Sequence, residues 1–298
     1  MNYLVFLCYG TNERVFHECV YALLSLTRAS GADGLKNTEI WIYTDNVPWF
    51  SNFKDCPLPL HFREIDSSLI RKWRGAIDFV HRVKIETLLD FTATRSGNVL
   101  YVDSDIVFTG GLQHIYNNIA AGSLYMHIAE SRISQMANPL FTKMNRFLVS
   151  SKLQLNGKPL NEMMMWNAGV LGFNTKYNYL LKDVLAFTDR EYPRFPKHII
   201  EQFAFSVYFQ DAGGIKAAAY CTFHYWNLKE AGQQLASFFG HFKNCTWAEL
   251  AGYSTLITLD NLMQQKVSFL ANRKLTDMLS KTNWNPPIPD WAEMQRQV

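Results

Sequence analysis

The sequence predicts an α/β fold, in which a mixed, mostly parallel sheet is flanked by helices and followed by a helical C-terminal portion. Short, continuous apolar runs are typical of strands buried on both faces, as parallel strands are. Segments with apolar residues at helical spacing alternate with these runs, as in strand–helix–strand units. The 298 residues, 48% of them hydrophobic, can form the core of one large domain or two small ones.

The first unit is predicted from residues 4–45. Leu4–Cys8 is a buried type of strand, and the turn at residues 9–12 precedes a helix whose apolar spacing continues to Arg28. Glu39–Thr44 is the second strand, and Asp45 follows it. A strand, a helix and a strand in this order predict a parallel crossover, which begins many nucleotide-binding folds. Thr11 and Asp45 are then expected at the carboxyl edge of the sheet, where ordinary loop capping is the alternative role.

A third strand, Leu60–Ile65, precedes a helix predicted over Ala76–Phe91. Lys84 falls within the apolar stripe of this helix. A lysine in that position either extends to solvent along its aliphatic stem or meets an anion at the sheet edge. An apolar side chain of similar length, such as methionine, is therefore expected to leave the fold intact.

The segment Asn98–Phe108 is the centre of the prediction. Val99–Val102 is a buried type of strand, and Asp103 and Asp105 come directly after it. In open α/β sheets, ligands bind beyond the carboxyl ends of the strands. Residues two apart in extended chain project to the same side, so the two carboxylates repel each other unless a cation lies between them. Oxygen ligands suit Mg²⁺ or Mn²⁺, whereas a solvated turn is the alternative explanation of an Asp-x-Asp sequence.

The second half begins with a Gly110-Gly111 turn and continues with segments of mixed type. Residues 131–166 resemble an insertion with its own short helices, which could also be a flap packed on the sheet. An Asn167-x-Gly169 turn precedes the next strand. The other predicted elements are strands Ser123–Ala129, Val170–Phe173 and Ile215–Phe223, and helices Tyr177–Arg190 and Ile199–Phe209.

Three segments in this order resemble glycosyltransferases with the GT-A fold. They are the Asp-x-Asp at Asp103–Asp105, the Asn-x-Gly at Asn167–Gly169 and the His-Tyr at His224–Tyr225. The resemblance is greatest to the retaining branch that includes glycogenin and the bacterial lipopolysaccharide galactosyltransferases. It implies a hexosyltransferase that uses Mn²⁺ or Mg²⁺ to move a sugar from a nucleotide-sugar, UDP-linked, to a hydroxyl acceptor on a glycan or lipid-linked molecule, with retention.

The resemblance also implies roles for individual residues. The metal ligands would be Asp103, Asp105 and His224, and the catalytic residues would be Asp103, Asp105, Glu201 and Lys84. The donor-binding residues would be Tyr9, Gly10, Thr11, Asp45, Lys84, Ser104, Asn167, Gly169, Gln202 and Lys229. The insertion at 131–166 would shape the acceptor side.

The sequence departs from the family pattern at two of these positions. Glu201 stands where the family has aspartate, and a glutamate that stabilises a helix N-terminus is the alternative role there. Lys229 follows His224 at one residue less than the usual spacing and without the usual glycine. His241, in a Gly-His-Phe-Lys segment, is a rival third metal ligand. His224 is preferred because it follows a strand at the sheet edge.

The chain is divided by these motifs into a catalytic domain, residues 1–230, and a helical extension, residues 231–298. The extension is helical in period to about Ser280, and its tail after Asn283 is rich in proline and tryptophan and expected to be extended, either docked or loose.

Composition excludes several classes of protein. A net charge of +3 with scattered basic residues argues against a nucleic-acid partner. Five cysteines without CxxC spacing suggest reduced, buried thiols. No leader or transmembrane segment is visible, so a cytoplasmic protein is expected, with any membrane contact peripheral to the inner face.

Two alternative functions share this fold. A sugar-phosphate nucleotidyltransferase should carry a glycine-rich basic loop after its first strand, whereas residues 9–14 contain one glycine. A non-catalytic nucleotide- or sugar-binding protein is compatible with the same motifs.

Overall fold

The computed structural model describes residues 1–31, 34–273 and 284–296. In this part of the chain the strands are β1 (Asn2–Cys8), β2 (Thr38–Thr44), β3 (Leu60–Glu64), β4 (Asn98–Val102), β5 (Ile106–Phe108), β6 (Leu124–Met126), β7 (Ala129–Arg132), β8 (Gln154–Leu155), β9 (Lys158–Pro159), β10 (Met164–Trp166), β11 (Val170–Asn174), β12 (Ile215–Ala217) and β13 (Thr222–His224). The α-helices are α1 (Glu13–Ser30), α2 (Ser67–Arg74), α3 (Arg82–Thr94), α4 (Gln113–Ala120), α5 (Pro139–Ser150), α6 (Asn178–Glu191), α7 (Ile199–Asp211), α8 (Ala231–His241), α9 (Trp247–Tyr253), α10 (Leu259–Ala271) and α11 (Trp291–Gln295).

A mixed sheet with helices on both faces confirms the predicted fold class. Its strand order is β12, β6, β11, β4, β1, β2, β3. Strands β3, β2, β1 and β4 run parallel to one another, and β6 runs parallel to β12, whereas β11 is antiparallel to both β4 and β6. The central strand β4 is therefore covered on both edges, and its carboxyl end lies in the middle of the sheet.

The core lies on the two faces of this sheet because successive strand residues point to opposite sides. Leu4 and Phe6 of β1 belong to one buried cluster, together with side chains of α1, α4, α8 and α9. Tyr3 and Val5 belong to the other, together with side chains of α3, α6 and α7. The helices after residue 230 thus share a core with β1 and α1.

The first strand–helix–strand unit is confirmed. Strands β1 and β2 pair in parallel over their whole lengths, with α1 between them in the chain. The Asn12 side chain caps α1 by accepting a hydrogen bond from the Arg14 amide. Residues 32 and 33, shortly after α1, lie outside the described residues.

The prediction of a helix from Ala76 was wrong, because α3 begins at Arg82. The sequence before it forms a turn instead. Gly75 ends α2 with φ 65°, and Asp78 has φ 48°, so the backbone is left-handed at both positions and cannot continue a helix. Val80, which the helical pattern placed in the apolar stripe, is exposed.

Two other predicted strands are shorter than expected. Ser123–Ala129 contains β6, whereas β7 leaves the main sheet and pairs with β10 as a two-stranded ribbon at the insertion. Ile215–Phe223 divides into β12, which pairs with β6, and β13, which pairs with β5. A turn separates them, since the Cys221 amide donates to the Ala218 carbonyl.

The C-terminal segment is helical over α8, α9 and α10, and the prediction of helix beyond residue 273 falls outside the described residues. The tail from residue 284 is extended up to α11 and docks on the protein, where Trp291 is buried and donates to Ser237 Oγ at 3.0 Å. No helix among the described residues is long and apolar enough to span a membrane.

Candidate active site

The Asp-x-Asp segment lies at the carboxyl end of β4. The Asp103 amide donates to the Gly169 carbonyl at 2.9 Å, which joins this segment to the start of β11. The Tyr225 amide donates to the Asp105 carbonyl at 3.1 Å, just beyond the β5–β13 ribbon. Backbone hydrogen bonds on both sides therefore fix the positions of the two aspartates.

His224 is brought to these carboxylates by strand pairing. It pairs with Ile106 in the β5–β13 ribbon, and Ile106 directly follows Asp105 in the sequence. Its Nε2 lies 3.0 Å from Asp105 Oδ1, and ligand atoms of Asp103, Asp105 and His224 all lie within 4.8 Å of one another. His241 is not part of this group. It lies exposed at the end of α8, against the ring of Phe242.

A hydrogen-bond network sets the tautomer of His224. Asn167 Oδ1 accepts the Gly169 amide proton at 3.0 Å, which identifies it as the oxygen, and it also lies 2.7 Å from His224 Nδ1. Nδ1 must then carry the proton that it donates. The Nε2 that faces the Asp105 carboxylate consequently needs a cation beside it, either a proton or a metal ion.

The donor set fits Mn²⁺ or Mg²⁺. Two carboxylates and one imidazole nitrogen are ligands that these ions accept, and a hydrogen bond to the other ring nitrogen is the usual means of orienting a histidine ligand. Gly169 is required for this arrangement because a Cβ at that position would lie 2.3 Å from His224 Nδ1.

Lys84 does not extend to solvent. It is 7% exposed, and its Nζ lies 3.1 Å from Asp103 Oδ1, 3.2 Å from the Ala168 carbonyl and 3.5 Å from Glu201 Oε1. Burial alone would lower the pKa of Lys84, but the charges of Asp103 and Glu201 outweigh burial and raise it. The anions that Lys84 meets in the structure are thus two carboxylates of the site.

Asp103 is held as an anion. Burial acts to raise its pKa, but the charge of Lys84, with that of His224 and a hydrogen bond from Tyr101, outweighs burial and lowers the pKa. The Tyr101 hydroxyl donates to Asp103 Oδ1 at 2.9 Å. An ionised Asp103 is available as a ligand at neutral pH.

Glu201 is a buried acid on the first turn of α7. It is 3% exposed, and burial raises its pKa to about 7, although Lys84 opposes this rise. A pKa in this range is the one that suits a general acid or base at neutral pH.

Glu130 belongs to the site but was not predicted. Its carboxylate accepts weak hydrogen bonds from Asn167 Nδ2 at 3.4 Å and from Gln202 Nε2 at 3.3 Å. It thereby connects two predicted donor-binding residues. No motif surrounds it in the sequence, and only the long-range pairing of the chain reveals it.

These residues surround a cavity of about 770 Å³. The predicted residues that line it are Lys84, Asp103, Asp105, Asn167, Gly169, Glu201, Gln202 and His224. The insertion supplies another part of the lining with Met136, Asn138, Leu140 and Phe141. His81, His198 and Trp226 also line it, and none of them was predicted from the sequence.

The remaining predicted donor-binding residues lie outside this lining. The Gly10 amide donates to Asp45 Oδ2 at 3.0 Å, so the ends of β1 and β2 meet as predicted, while Thr11 is exposed. The hydroxyl of Tyr101 bonds to Asp103. Burial is the main cause that raises the pKa of Tyr101, and nearby Tyr9 raises it further.

Two further predicted residues lie close to the cavity. Ser104 stands between the aspartates. Lys229 is exposed. The pKa of His198, in the cavity wall, is lowered mainly by burial and further by the charges of Lys197 and Lys229.

Comparison with known proteins identifies the fold. No protein-family model matches the sequence, and neither does any curated protein. Among solved structures, the galactosyltransferase LgtC in complex with donor and acceptor sugar analogs is 13% identical, with a TM-score of 0.51 over 85% of this chain and 95% of that chain. The apo-form glycosyltransferase GlyE of Streptococcus pneumoniae TIGR4 is 14% identical, with a TM-score of 0.50 over 86% of this chain.

The chain has the GT-A glycosyltransferase fold. The predicted resemblance is confirmed at this level, with Asp103, Asp105 and His224 grouped as the motif order implied. The alignment covers 64% of the GlyE chain, and at these identities the similarity establishes the fold alone.

Proposed function

We propose that the protein is a metal-dependent glycosyltransferase, which moves a sugar from a UDP-linked nucleotide-sugar to a hydroxyl acceptor. The observation that carries this proposal is the convergence of Asp103, Asp105 and His224 beside a large cavity at the carboxyl edge of the sheet. The orientation of His224 supports it further, because the hydrogen bond between Nδ1 and Asn167 turns Nε2 toward the Asp105 carboxylate, where a divalent cation would be shared between them. These three side chains would hold Mn²⁺ or Mg²⁺.

The donor would lie across the carboxyl ends of β1, β2 and β4. The edge at Gly10 and Asp45 would receive the nucleoside, and the diphosphate would lie toward the two aspartates. A bound divalent cation neutralises the charge that develops on the departing diphosphate. Lys229 is the better placed of the two predicted lysines to contact phosphate, since it is exposed, whereas the Nζ of Lys84 is surrounded by three acceptors.

Lys84 would act by holding Asp103 and Glu201 in position. Glu201, buried in the cavity wall, would face the transferred sugar. Retention of configuration would follow from substitution on the same face, in which the departing diphosphate helps to deprotonate the acceptor hydroxyl. Glu201 is the side chain to test as a nucleophile, although a pKa of about 7 leaves it partly protonated at neutral pH.

A panel of nucleotide-sugars incubated with Mn²⁺ tests this function. Without acceptor, many transferases slowly transfer the sugar to water, so one UDP-sugar should be hydrolysed by the wild type. Asp105→Ala should reduce this hydrolysis at least a hundredfold, whereas Asp183→Ala, at an exposed position on α6, should not change it. Metal-independent hydrolysis, or full activity of Asp105→Ala, would contradict the proposal.

A further inference from the structure

Trp226 is exposed at the edge of the cavity, in contrast to the other tryptophans. All eight tryptophans lie in the described part of the chain, and Trp226, 55% exposed, is the only one of them that is more than half exposed. Its backbone is well held, since Tyr225 before it is buried and the Leu228 amide donates to the Tyr225 carbonyl at 2.8 Å. A large aromatic surface that is exposed to solvent beside a cavity is typical of a binding site.

The insertion adds apolar side chains to the same cavity. Met136, Leu140 and Phe141 line it, and Asn138, which caps α5, lines it beside them. Amide and imidazole groups of Gln202 and His198 are interspersed with these apolar groups. Such a lining suits a ligand with both an apolar face and hydroxyl groups, more than it suits a purely hydrocarbon chain.

The charge of the cavity restricts its ligand further. Asp103, Asp105, Glu130 and Glu201 line it, and Lys84, their basic neighbour, is enclosed by two of them. With Lys84 and a divalent cation present, the four carboxyl groups would leave one negative charge when Glu201 is ionised and none when it is protonated, and a donor diphosphate would then add negative charge. An acceptor carrying phosphate or carboxylate would be repelled.

We propose that Trp226 and the Met136–Phe141 segment form the acceptor subsite, and that the acceptor presents a neutral sugar ring. The apolar face of a pyranoside would lie on the indole of Trp226, and its hydroxyls would bond to Asn138, Gln202 and Glu130. This inference rests on the proposed transferase function, because it assigns the cavity beside the metal ligands to an acceptor.

Binding of simple pyranosides to the metal-loaded protein with UDP tests the subsite. The probes are methyl β-glucopyranoside, methyl β-galactopyranoside, glucose 6-phosphate and octyl β-glucoside, followed by saturation-transfer NMR. At least one methyl pyranoside should receive saturation on its ring protons, and glucose 6-phosphate should receive less. Preference for the phosphate, or saturation of octyl glucoside confined to its chain, would overturn the proposal.

The role of Trp226 is tested in the same assay. Trp226→Ala should weaken the bound pyranoside about tenfold, Trp226→Phe should retain most of the affinity, and Tyr179→Ala, a 51% exposed aromatic on α6 outside the cavity, should change nothing. In the wild type labelled with ¹⁵N-tryptophan, the Trp226 indole signal, assigned by its loss in Trp226→Phe, should shift when pyranoside is added. This last measurement decides the question even where Trp226→Ala does not fold.

An unshifted Trp226 signal at saturating pyranoside, or equal affinity of wild type and Trp226→Ala, would overturn the acceptor subsite. Hydrolysis of UDP-sugar by the wild type without acceptor reports separately on the proposed function. If pyranoside binding fails but UDP-sugar is still hydrolysed, only the acceptor subsite is wrong. If both fail, the proposed function is wrong as well.

Discussion

Replacing Lys84 by methionine should destabilise the protein by about 3–5 kcal/mol at pH 8, because the change leaves the buried carboxylate of Glu201 and the partly buried carboxylate of Asp103 without their ion-pair partner. Lys84 Nζ lies 3.1 Å from Asp103 and 3.5 Å from Glu201, and it is enclosed with them. The position of Lys84 within the apolar stripe of its helix had suggested that methionine there would leave the fold intact. The ion pairs predict the opposite, since the cost arises from the anions that remain.

The penalty should depend on pH. Burial raises the pKa of Glu201 to about 7 even with Lys84 present, and without Lys84 the pKa values of Glu201 and Asp103 should both rise further. The native variant would then bind more protons than the native wild type between pH 5 and 8, whereas the unfolded chains bind the same number on these carboxyls. The variant therefore loses stability relative to the wild type as pH rises, and the penalty should be smaller at pH 5 by about 1–3 kcal/mol.

Urea unfolding in EDTA at pH 5 and pH 8 measures both effects. Lys182→Met, at an exposed position on α6, is the matched control and should change stability by less than about 0.5 kcal/mol. A penalty for Lys84→Met below about 1 kcal/mol at pH 8, or one that is the same at both pH values, would refute the ion-pair account.

Three other substitutions test separate parts of the structure. Gly169→Ala places a Cβ 2.3 Å from His224 Nδ1, so it should displace the ring and weaken Mn²⁺ binding about 10–100-fold with the fold retained; unchanged affinity by calorimetry would contradict this. In the wild type, ionisation of the buried Glu201 should cost stability as the pH rises from 4.5 toward about 7. Between pH 4 and pH 8, Glu201→Gln should therefore gain about 3 kcal/mol of stability relative to the wild type. Urea midpoints of the two proteins that change in parallel with pH would argue against a buried acid. Trp291→Ala should cost about 3–5 kcal/mol because the indole packs on Phe238, with ring centroids 5.6 Å apart; a loss under 1 kcal/mol would mean that the tail contributes little.

Strong local patterns predicted the fold well. The apolar run Val99–Val102 identified the central strand and so the position of Asp103 and Asp105. Backbone conformation was harder to predict, because Asp78 adopts a left-handed φ of 48° that could not be predicted from its residue type. The helical pattern from Ala76 therefore continued through a turn, and α3 began six residues later than predicted.

The site was predicted only as far as motifs extend. Asp103, Asp105 and His224 meet as their motifs implied. The partners of Lys84 could not be predicted, because Glu201 reaches it from a helix more than a hundred residues later in the chain. The same reason hid Glu130 and Trp226, whose position depends on how the insertion and the β5–β13 ribbon fold toward the cavity. The roles assigned to individual site residues stay predictions.

Titration of the protein with Mn²⁺ in the presence of UDP, followed by electron paramagnetic resonance, tests the metal centre most directly. Asp105→Ala and His224→Ala should each weaken binding more than tenfold, while His241→Ala should match the wild type. Wild-type affinity should also fall at acid pH, since only neutral imidazole binds a metal ion. Loss of Mn²⁺ binding in His241→Ala with wild-type affinity in His224→Ala, or no Mn²⁺ binding by the wild type, would contradict the assignment of Asp103, Asp105 and His224 as the metal site.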